Sequence, residues 1–200
     1  MPNRGDRGGA KTRARIAEVA TGLFLERGFD AVTIADVAAA AGVSKVTVFS
    51  HFERKEDLLL DRLPEAIELV RSAVRARTGG VVEALRQLAL RLTEEQHVLS
   101  GIGGDVGPLM RTVAESPALI ARLRAFGYEM ESELAGELAA DARFSGDAAL
   151  TAALVVAAYR TVAVATIRRR LAGEDLAALA ESHRERLTEA FDVVERMVSE

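Results

Sequence analysis

The sequence predicts an all-α protein with a small N-terminal helical domain and a larger C-terminal helical domain. Apolar residues recur at three- and four-residue spacing along nearly the whole chain, which is the period of amphipathic helices and not of strands. Glycine, proline or a helix-capping residue separates these segments. Of the 200 residues, 49% are hydrophobic, which is enough to bury a core.

The N-terminal domain begins with a basic segment and three short helical patterns. Residues 1–10 are polar and contain several glycines, so we predict a disordered basic arm there. A first helix is expected over Lys11–Arg27. Thr33 and Asp36 have the spacing of a capping box for a second helix, which ends at Gly42.

The third helix of this domain follows Gly42 at once. Ser44 is its predicted N-cap, and the β-branched run Val46-Thr47-Val48 has poor intrinsic helicity, so the helix depends on that cap and on packing. Two short helices joined by a glycine turn form a helix-turn-helix, whose second helix enters the major groove of DNA.

Six further helices are predicted in the C-terminal domain. They span Lys55–Arg77, Val81–Leu99, Pro108–Glu115, Pro117–Ala142, Asp147–Leu171 and Glu174–Ser199. The first crosses the border between the domains, so we place the arm at 1–10, the helix-turn-helix domain at 11–57 and the remaining domain at 58–200.

The stretch from Thr33 to Leu58 resembles the DNA-binding head of TetR-family regulators. Ala41-Gly42-Val43-Ser44, Phe49, His51-Phe52 and Lys55-Glu56-Asp57-Leu58 fall in the family's register. The resemblance covers about Thr12 to Leu63. It implies a three-helix helix-turn-helix DNA-binding domain, followed by a helical ligand-binding and dimerisation domain.

The resemblance also implies which side chains face DNA and which fill the core. The DNA-facing set is Thr33, Ser44, Lys45, Val46, Thr47, Phe49, Ser50, His51 and Lys55. Lys55 and the amides of its helix would bind a phosphate, and Val48 and Phe52 would be buried. Val46 and Phe49 stand where the family commonly has glycine and tyrosine, and Val46 is suited to a thymine methyl group.

Each of these residues also has a plainer interpretation. Val46, Thr47 and Phe49 suit a small helical core, and the lysines and His51 suit a solvated surface. The arginines of the arm are either solvated or in contact with the DNA backbone or minor groove.

The helix Asp147–Leu171 predicts a homodimer. It has no charge from Ala148 to Tyr159, and one chain offers too few helices to cover it on every side. A second copy supplies the missing surface. A membrane span is disfavoured because Arg160 lies within the apolar stretch.

A cavity for an unknown, mostly hydrophobic effector is predicted between the middle helices. Its lining is predicted to include Leu88, Leu92, Met110, Phe126, Met130, Tyr159 and Arg160. Tyr128 and His97 are further polar candidates. The alternative is that the apolar members are ordinary core and that Arg160 forms an internal or cross-dimer ion pair.

Enzymatic and metal-dependent functions are disfavoured. The chain has no cysteine, its three histidines lie far apart, and no catalytic motif is recognised, so we expect no metal and no cofactor. We predict a cytoplasmic, sequence-specific repressor that binds a palindromic double-stranded operator and leaves it when a small ligand binds. The alternatives are a helical module whose head binds protein and, further off, a helical hydrolase.

Overall fold

The computed structural model describes residues 4–103 and 107–198, which form nine α-helices and no strand. The helices are α1 (Arg4–Arg27), α2 (Ile34–Ala40), α3 (Lys45–His51), α4 (Leu63–Ala76), α5 (Val81–Glu94), α6 (Gly107–Glu115), α7 (Pro117–Ala140), α8 (Ala148–Leu171) and α9 (Leu176–Val198). Short 3₁₀ turns lie at Glu56–Leu58 and Val98–Ser100. The all-α prediction is confirmed.

Helix α1 is longer than predicted. It begins at Arg4, so residues 4–10 are helical where a disordered arm was expected, and residues 1–3 lie outside the described part of the chain. Once a helix is nucleated, each further residue adds a hydrogen bond, which extends it across glycines that would not start it. The Thr12 hydroxyl also donates to the Gly8 carbonyl at 3.0 Å.

The predicted continuous helix Lys55–Arg77 is wrong. The chain forms the 3₁₀ turn Glu56–Leu58, passes through a turn, and starts α4 only at Leu63. Pro64 lies in the first turn of α4. In a continuous helix its ring would clash with the carbonyl of residue 60 and leave that carbonyl without a donor, so the break comes before it.

The chain divides into two compact units. The head unit contains residues 1–61 and 111–122, and the body unit contains residues 62–110 and 123–200. Residues 111–122, from the end of α6 and the start of α7, were assigned to the C-terminal domain from the sequence. The core of the head unit includes Phe24, Val48 and Leu119, all fully buried.

The body unit is built on α8 and α9, which pack along each other, with α5 packed against both. Its core includes Leu85, Leu134, Leu138, Leu187 and Phe191. Ion pairs join α4 to α7: Arg71 to Glu133 and Arg75 to Glu137. Arg77 and Asp141, each the residue just after one of these helices, form a third pair.

Helix α8 is long and apolar enough to cross a membrane by length and composition. It carries Arg160 in that apolar stretch and packs along α9 within the same chain. Buried helices of soluble proteins share this composition.

Candidate nucleic-acid interface

Helix α2 starts at a complete capping box, as the sequence predicts. Thr33 Oγ1 accepts a hydrogen bond from the Asp36 amide at 3.2 Å, and Asp36 Oδ2 accepts from the Thr33 amide at 2.8 Å and from its hydroxyl at 2.7 Å. The hydrogen bonds that the Asp36 carboxylate accepts from Thr33 lower the pKa of Asp36, and the bond from the Thr33 amide contributes most. Both donors of Thr33 are therefore engaged, which does not support the DNA contact predicted for it.

The turn between α2 and α3 depends on Gly42, as predicted. Gly42 has φ +63°, a conformation that glycine adopts without strain. The Val43 amide donates to the Ala38 carbonyl at 2.9 Å, and the Gly42 amide donates to the Ala39 carbonyl at 3.1 Å. The turn therefore supplies hydrogen-bond donors to carbonyls at the C-terminal end of α2, and it leads directly to the N-cap of α3.

Helix α3 is held at its start by Ser44, also as predicted. Ser44 Oγ accepts from the Thr47 amide at 3.0 Å, and the hydroxyls of these two residues are hydrogen-bonded at 2.8 Å. The Ser50 hydroxyl donates to the Thr47 carbonyl at 2.8 Å. The hydroxyl side chains of α3 are thus largely occupied within the helix.

The two faces of α3 differ sharply in exposure. Val48 and Phe52, predicted to fill the core, are 0% and 3% exposed. On the other side Val46 is 79% exposed and Phe49 is 55% exposed, so neither is a core residue. With Lys45 they form an exposed face on a helix of a size that enters the major groove.

Arg13 fixes the end of α3 and was missed as a functional residue from the sequence. Its guanidinium donates to the His51 carbonyl and lies 4.1 Å from the centroid of the Phe52 ring. Carbonyls at the end of a helix commonly accept bonds from basic side chains. That preference is a usable signal, but nothing in the sequence indicates which arginine supplies the bond. His51 itself is half-buried.

Lys55 does not lie where the resemblance implied. Its ammonium donates to the Phe29 carbonyl at 2.6 Å and lies 4.2 Å from the centroid of the Phe29 ring. It is half-buried and stands before a 3₁₀ turn instead of a long helix. The phosphate contact predicted for Lys55 and the amides of its helix is therefore not supported.

Residues 111–122 complete the head unit through polar contacts. Arg122 Nε donates to Asp57 Oδ1 at 2.8 Å, and both side chains are mostly buried. The Ser116 hydroxyl donates to Asp30 Oδ1 at 3.3 Å. Sequence reasoning missed these pairs, because partners 65 and 86 residues apart leave no local pattern.

Known proteins are similar to this chain, most clearly over its head. The profile of bacterial regulatory proteins of the tetR family matches residues 16–61. The regulator TcmR of Streptomyces glaucescens is 28% identical over 159 residues, which are 76% of this chain and 70% of TcmR. The regulator TtgR of Pseudomonas putida is 35% identical over 89 residues, 42% of either chain.

The comparisons support a TetR-family transcriptional regulator, and the family's own model matches the head of this chain. Two solved structures agree with its fold: NalD of Pseudomonas aeruginosa has a TM-score of 0.56 at 21% identity, covering 91% of this chain and 97% of NalD. SmeT in complex with triclosan has a TM-score of 0.57 at 18% identity, covering 92% and 90%. The protein is a DNA-binding transcriptional regulator, and the relatives it matches are regulators and not enzymes.

The predicted effector-lining residues of this chain are packed in its body unit. Leu88, Leu92, Met110 and Met130 are buried, and Phe126 and Tyr159 are half-buried. Leu88, Leu92 and Tyr159 belong to one continuous core cluster. The body has two concavities, of about 350 and 430 Å³. Of the predicted effector-lining residues, only Arg160 lines either of them. This arrangement favours the interpretation of the apolar residues as ordinary core.

Tyr159 and His97 anchor the segment between α5 and α6. The Tyr159 hydroxyl donates to the Leu99 carbonyl at 2.6 Å, and burial raises the pKa of Tyr159 to about 12. His97 Nδ1 accepts from the Leu99 amide at 3.3 Å, and its Nε2 lies 3.4 Å from Glu65 Oε1 on α4. A side chain at Gly103 would place its Cβ 1.8 Å from the Gln96 carbonyl oxygen, so this tight fold requires glycine.

Arg160 is exposed, and Tyr128 is 72% exposed, so neither is an internal polar anchor. Arg160 forms no ion pair with any other residue that the structure describes. It lines the concavity of about 350 Å³ together with Arg168 and Arg186. Within residues 4–103 and 107–198, no group of three or more acidic or histidine side chains is arranged to hold a metal ion.

Proposed function

We propose that this TetR-family regulator is a cytoplasmic homodimeric repressor of a palindromic operator, released by a small, mostly apolar effector. The observation that carries the operator contact is the exposed face of α3. Two side-chain caps and the Gly42 turn fix this helix, and its buried side packs on the head core. An exposed helix on a rigid support is the arrangement that inserts into a major groove.

A gel shift against the DNA upstream of the chain's own gene tests this proposal. Affinity should fall steeply with salt, because binding releases counterions from phosphates. Val46→Glu should abolish specific binding, since it places a carboxylate in the groove. Leu25→Glu, at an exposed apolar position on α1, is the matched control and should bind normally. Equal affinity of the unmodified protein for upstream and unrelated DNA would contradict a sequence-specific role.

The homodimer is supported by the outward faces of α8 and α9. Leu150 and Val164 on α8, and Val193 and Met197 on α9, are exposed large apolar side chains. Such side chains on one helix pair are typical of an interface that a second copy covers. Arg160, Arg168 and Arg186 lie on the same helices as the exposed acids Glu185 and Glu189, so two copies also carry complementary charges.

Sedimentation of a matched pair of variants tests the dimer. Val164→Glu places a charge in the proposed interface and should give a folded monomer. Val46→Glu introduces the same charge on α3 and should remain a dimer. A stable folded monomer of the unmodified protein at micromolar concentration would rule the homodimer out.

We propose that the effector response is transmitted through contacts within the body unit. SmeT, which shares this fold, has been solved with triclosan, and this supports a small-molecule effector. Tyr159, the Leu99 backbone and His97 form a hydrogen-bonded path from α8 to Glu65 in the first turn of α4. A ligand that displaces the Tyr159 hydroxyl would therefore alter the start of α4.

Operator affinity with and without triclosan, used as a probe, tests this coupling. By linkage, operator must weaken triclosan binding by the same factor. His97→Leu should preserve triclosan binding but reduce its effect on operator affinity. If triclosan binds and operator affinity stays constant, this probe is not an inducer. A normal response in His97→Leu would rule out the path through His97.

A further inference from the structure

The exposed face of α3 carries an apolar pair at its centre. Val46 and Phe49 are three residues apart, so they lie one turn apart on the same side of the helix. At 79% and 55% exposure they are the only large apolar side chains that the described part of the head exposes, apart from Leu25 on α1. Nothing in the described part of the head covers them.

Of the three hydroxyl protons beside this pair, two are already used in hydrogen bonds within the protein. One of the Ser44 and Thr47 hydroxyl protons is used in the bond between them, and the Ser50 proton is donated to the Thr47 carbonyl. Ser44 Oγ also accepts the Thr47 amide. Among the exposed side chains of α3, Lys45 is the clear free donor.

The major groove contains one apolar group, the C5-methyl of thymine, while every other base edge there presents hydrogen-bond donors or acceptors. An apolar side chain placed against those polar edges removes water from them without replacing its hydrogen bonds, which is unfavourable. When the same side chain contacts a thymine methyl, both apolar groups are removed from water, which is favourable.

We propose that Val46 and Phe49 read thymine methyl groups, so that each operator half-site carries thymines where these side chains touch it. This inference rests on the proposed operator binding and specifies its chemistry. Three residues of helix rise about 4.5 Å, and successive base pairs rise about 3.4 Å, so the two contacts fall on neighbouring base pairs.

Deoxyuridine scanning is the decisive experiment. After the operator is mapped by footprinting, each thymine of a half-site is replaced in turn by deoxyuridine, which removes only the C5-methyl and keeps base pairing. Burial of one methyl group corresponds to about fourfold in affinity. We expect one or two positions to show that loss, and about fifteenfold when both half-sites of the palindrome are substituted.

Protein variants assign each methyl group to its side chain. In Val46→Ala the deoxyuridine effect at one position should fall below twofold, while the effect at the Phe49 position persists. Phe49→Ala should give the converse. Leu25→Ala, the exposed control on α1, should keep both effects. Non-additive losses of this kind indicate direct contact.

A cytosine exchange separates the methyl group from the other features of thymine. Cytosine at a sensitive position should weaken binding, and 5-methylcytosine should recover part of the loss, because it restores the methyl group without the thymine O4. If the unmodified operator binds specifically and no deoxyuridine changes affinity by twofold, methyl readout is wrong while operator binding stands. If no upstream sequence is preferred over unrelated DNA, operator binding itself fails.

Discussion

The head and the body keep their helices in place by different means. In the head, α2 and α3 each begin on a cap whose partners are three residues apart, and Gly42 joins them. In the body, α4 is held to α7 by pairs such as Arg75 and Glu137, 62 residues apart. Helix α3, which we propose faces DNA, is therefore specified by its own short stretch of sequence, whereas the body depends on contacts across the whole chain.

Removing a core side chain of the head should destabilise the head much more than the body. Phe24 is fully buried and packs on Phe29, with ring centroids 4.9 Å apart. Phe24→Ala should cost about 3–5 kcal/mol in the free energy of unfolding, because it leaves a cavity. Since the head has its own core, we expect urea unfolding followed by circular dichroism to separate into two transitions, with operator binding lost in the first.

Leu25→Ala is the control for this experiment, because Leu25 is the exposed neighbour of Phe24. Its unfolding curve should match that of the unmodified protein. If Phe24→Ala instead shifts one undivided transition, the head and the body unfold together, and their stabilities are not separable.

Mild acid should act on the body before the head. His183 on α9 is 1% exposed, and its Nδ1 lies 2.8 Å from the Thr166 hydroxyl oxygen on α8. Burial, with a smaller contribution from Arg186, lowers the pKa of His183 to about 4, against 6.5 when unfolded. The unfolded chain therefore binds the proton first, and stability present above pH 6.5 is lost as the pH falls towards 4.

The loss at His183 should reach at most about 3 kcal/mol, measured as the urea midpoint against pH. His183→Gln, which keeps a polar partner for Thr166, should remove the pH dependence above pH 4.5. In the head, Asp36 has its pKa lowered from 3.8, so its stabilisation is lost only in stronger acid. An unchanged slope between pH 6.5 and 4.5 in His183→Gln would show that another group is responsible.

The contrast between head and body also explains what could be predicted from the sequence. The capping box at Thr33, the N-cap at Ser44 and the turn at Gly42 were predictable, because each depends on residues within a few positions. The break before α4 was missed although Pro64 is a local signal against a continuous helix. The family pattern at Lys55 suggested a phosphate contact, but the Phe29 carbonyl that binds it is 26 residues away.

The packing of the body could not be predicted from local sequence patterns. Helix α8 is apolar on every side, so its periodicity does not indicate which face is internal. Val155 is buried in the core, whereas Val164 is 40% exposed. Leu88 and Leu92 lie on the apolar face of α5, and the sequence made that face equally suitable as cavity lining and as core. Only the helices packed against them distinguish the two, and here they belong to the core.

Removing one hydroxyl from the body tests its long-range contacts. Tyr159→Phe deletes the hydrogen bond to the Leu99 carbonyl and should cost about 1–3 kcal/mol, because that acceptor loses its partner. The pKa of Tyr159 is raised to about 12, so the unfolded chain ionises first above pH 10. The stabilisation is therefore full below pH 10 and is lost as the pH rises to 12. An unfolding midpoint that falls equally in both proteins over that range would contradict this assignment.

Replacing an N-cap by alanine in each region should have the smallest effect on stability, and it compares the head directly with the body. Ser44 caps α3 in the head, and Asp147 caps α8 in the body by accepting from the Leu150 amide at 2.9 Å. Replacing either residue by alanine should cost about 1 kcal/mol. Helix α3 has only seven residues and a β-branched run, so the loss should fray the DNA-facing surface and weaken operator binding by up to about fivefold.

In the body the loss of an N-cap should have a smaller effect on operator binding. Helix α8 has 24 residues, so Asp147→Ala should fray only its first turn and leave operator affinity unchanged. Ser44→Gly is the internal control, because glycine at an N-cap costs only a few tenths of a kcal/mol. Gel shifts at fixed salt measure all three. If Asp147→Ala weakens operator binding as much as Ser44→Ala does, α3 is not fixed locally, and the distinction between head and body is lost.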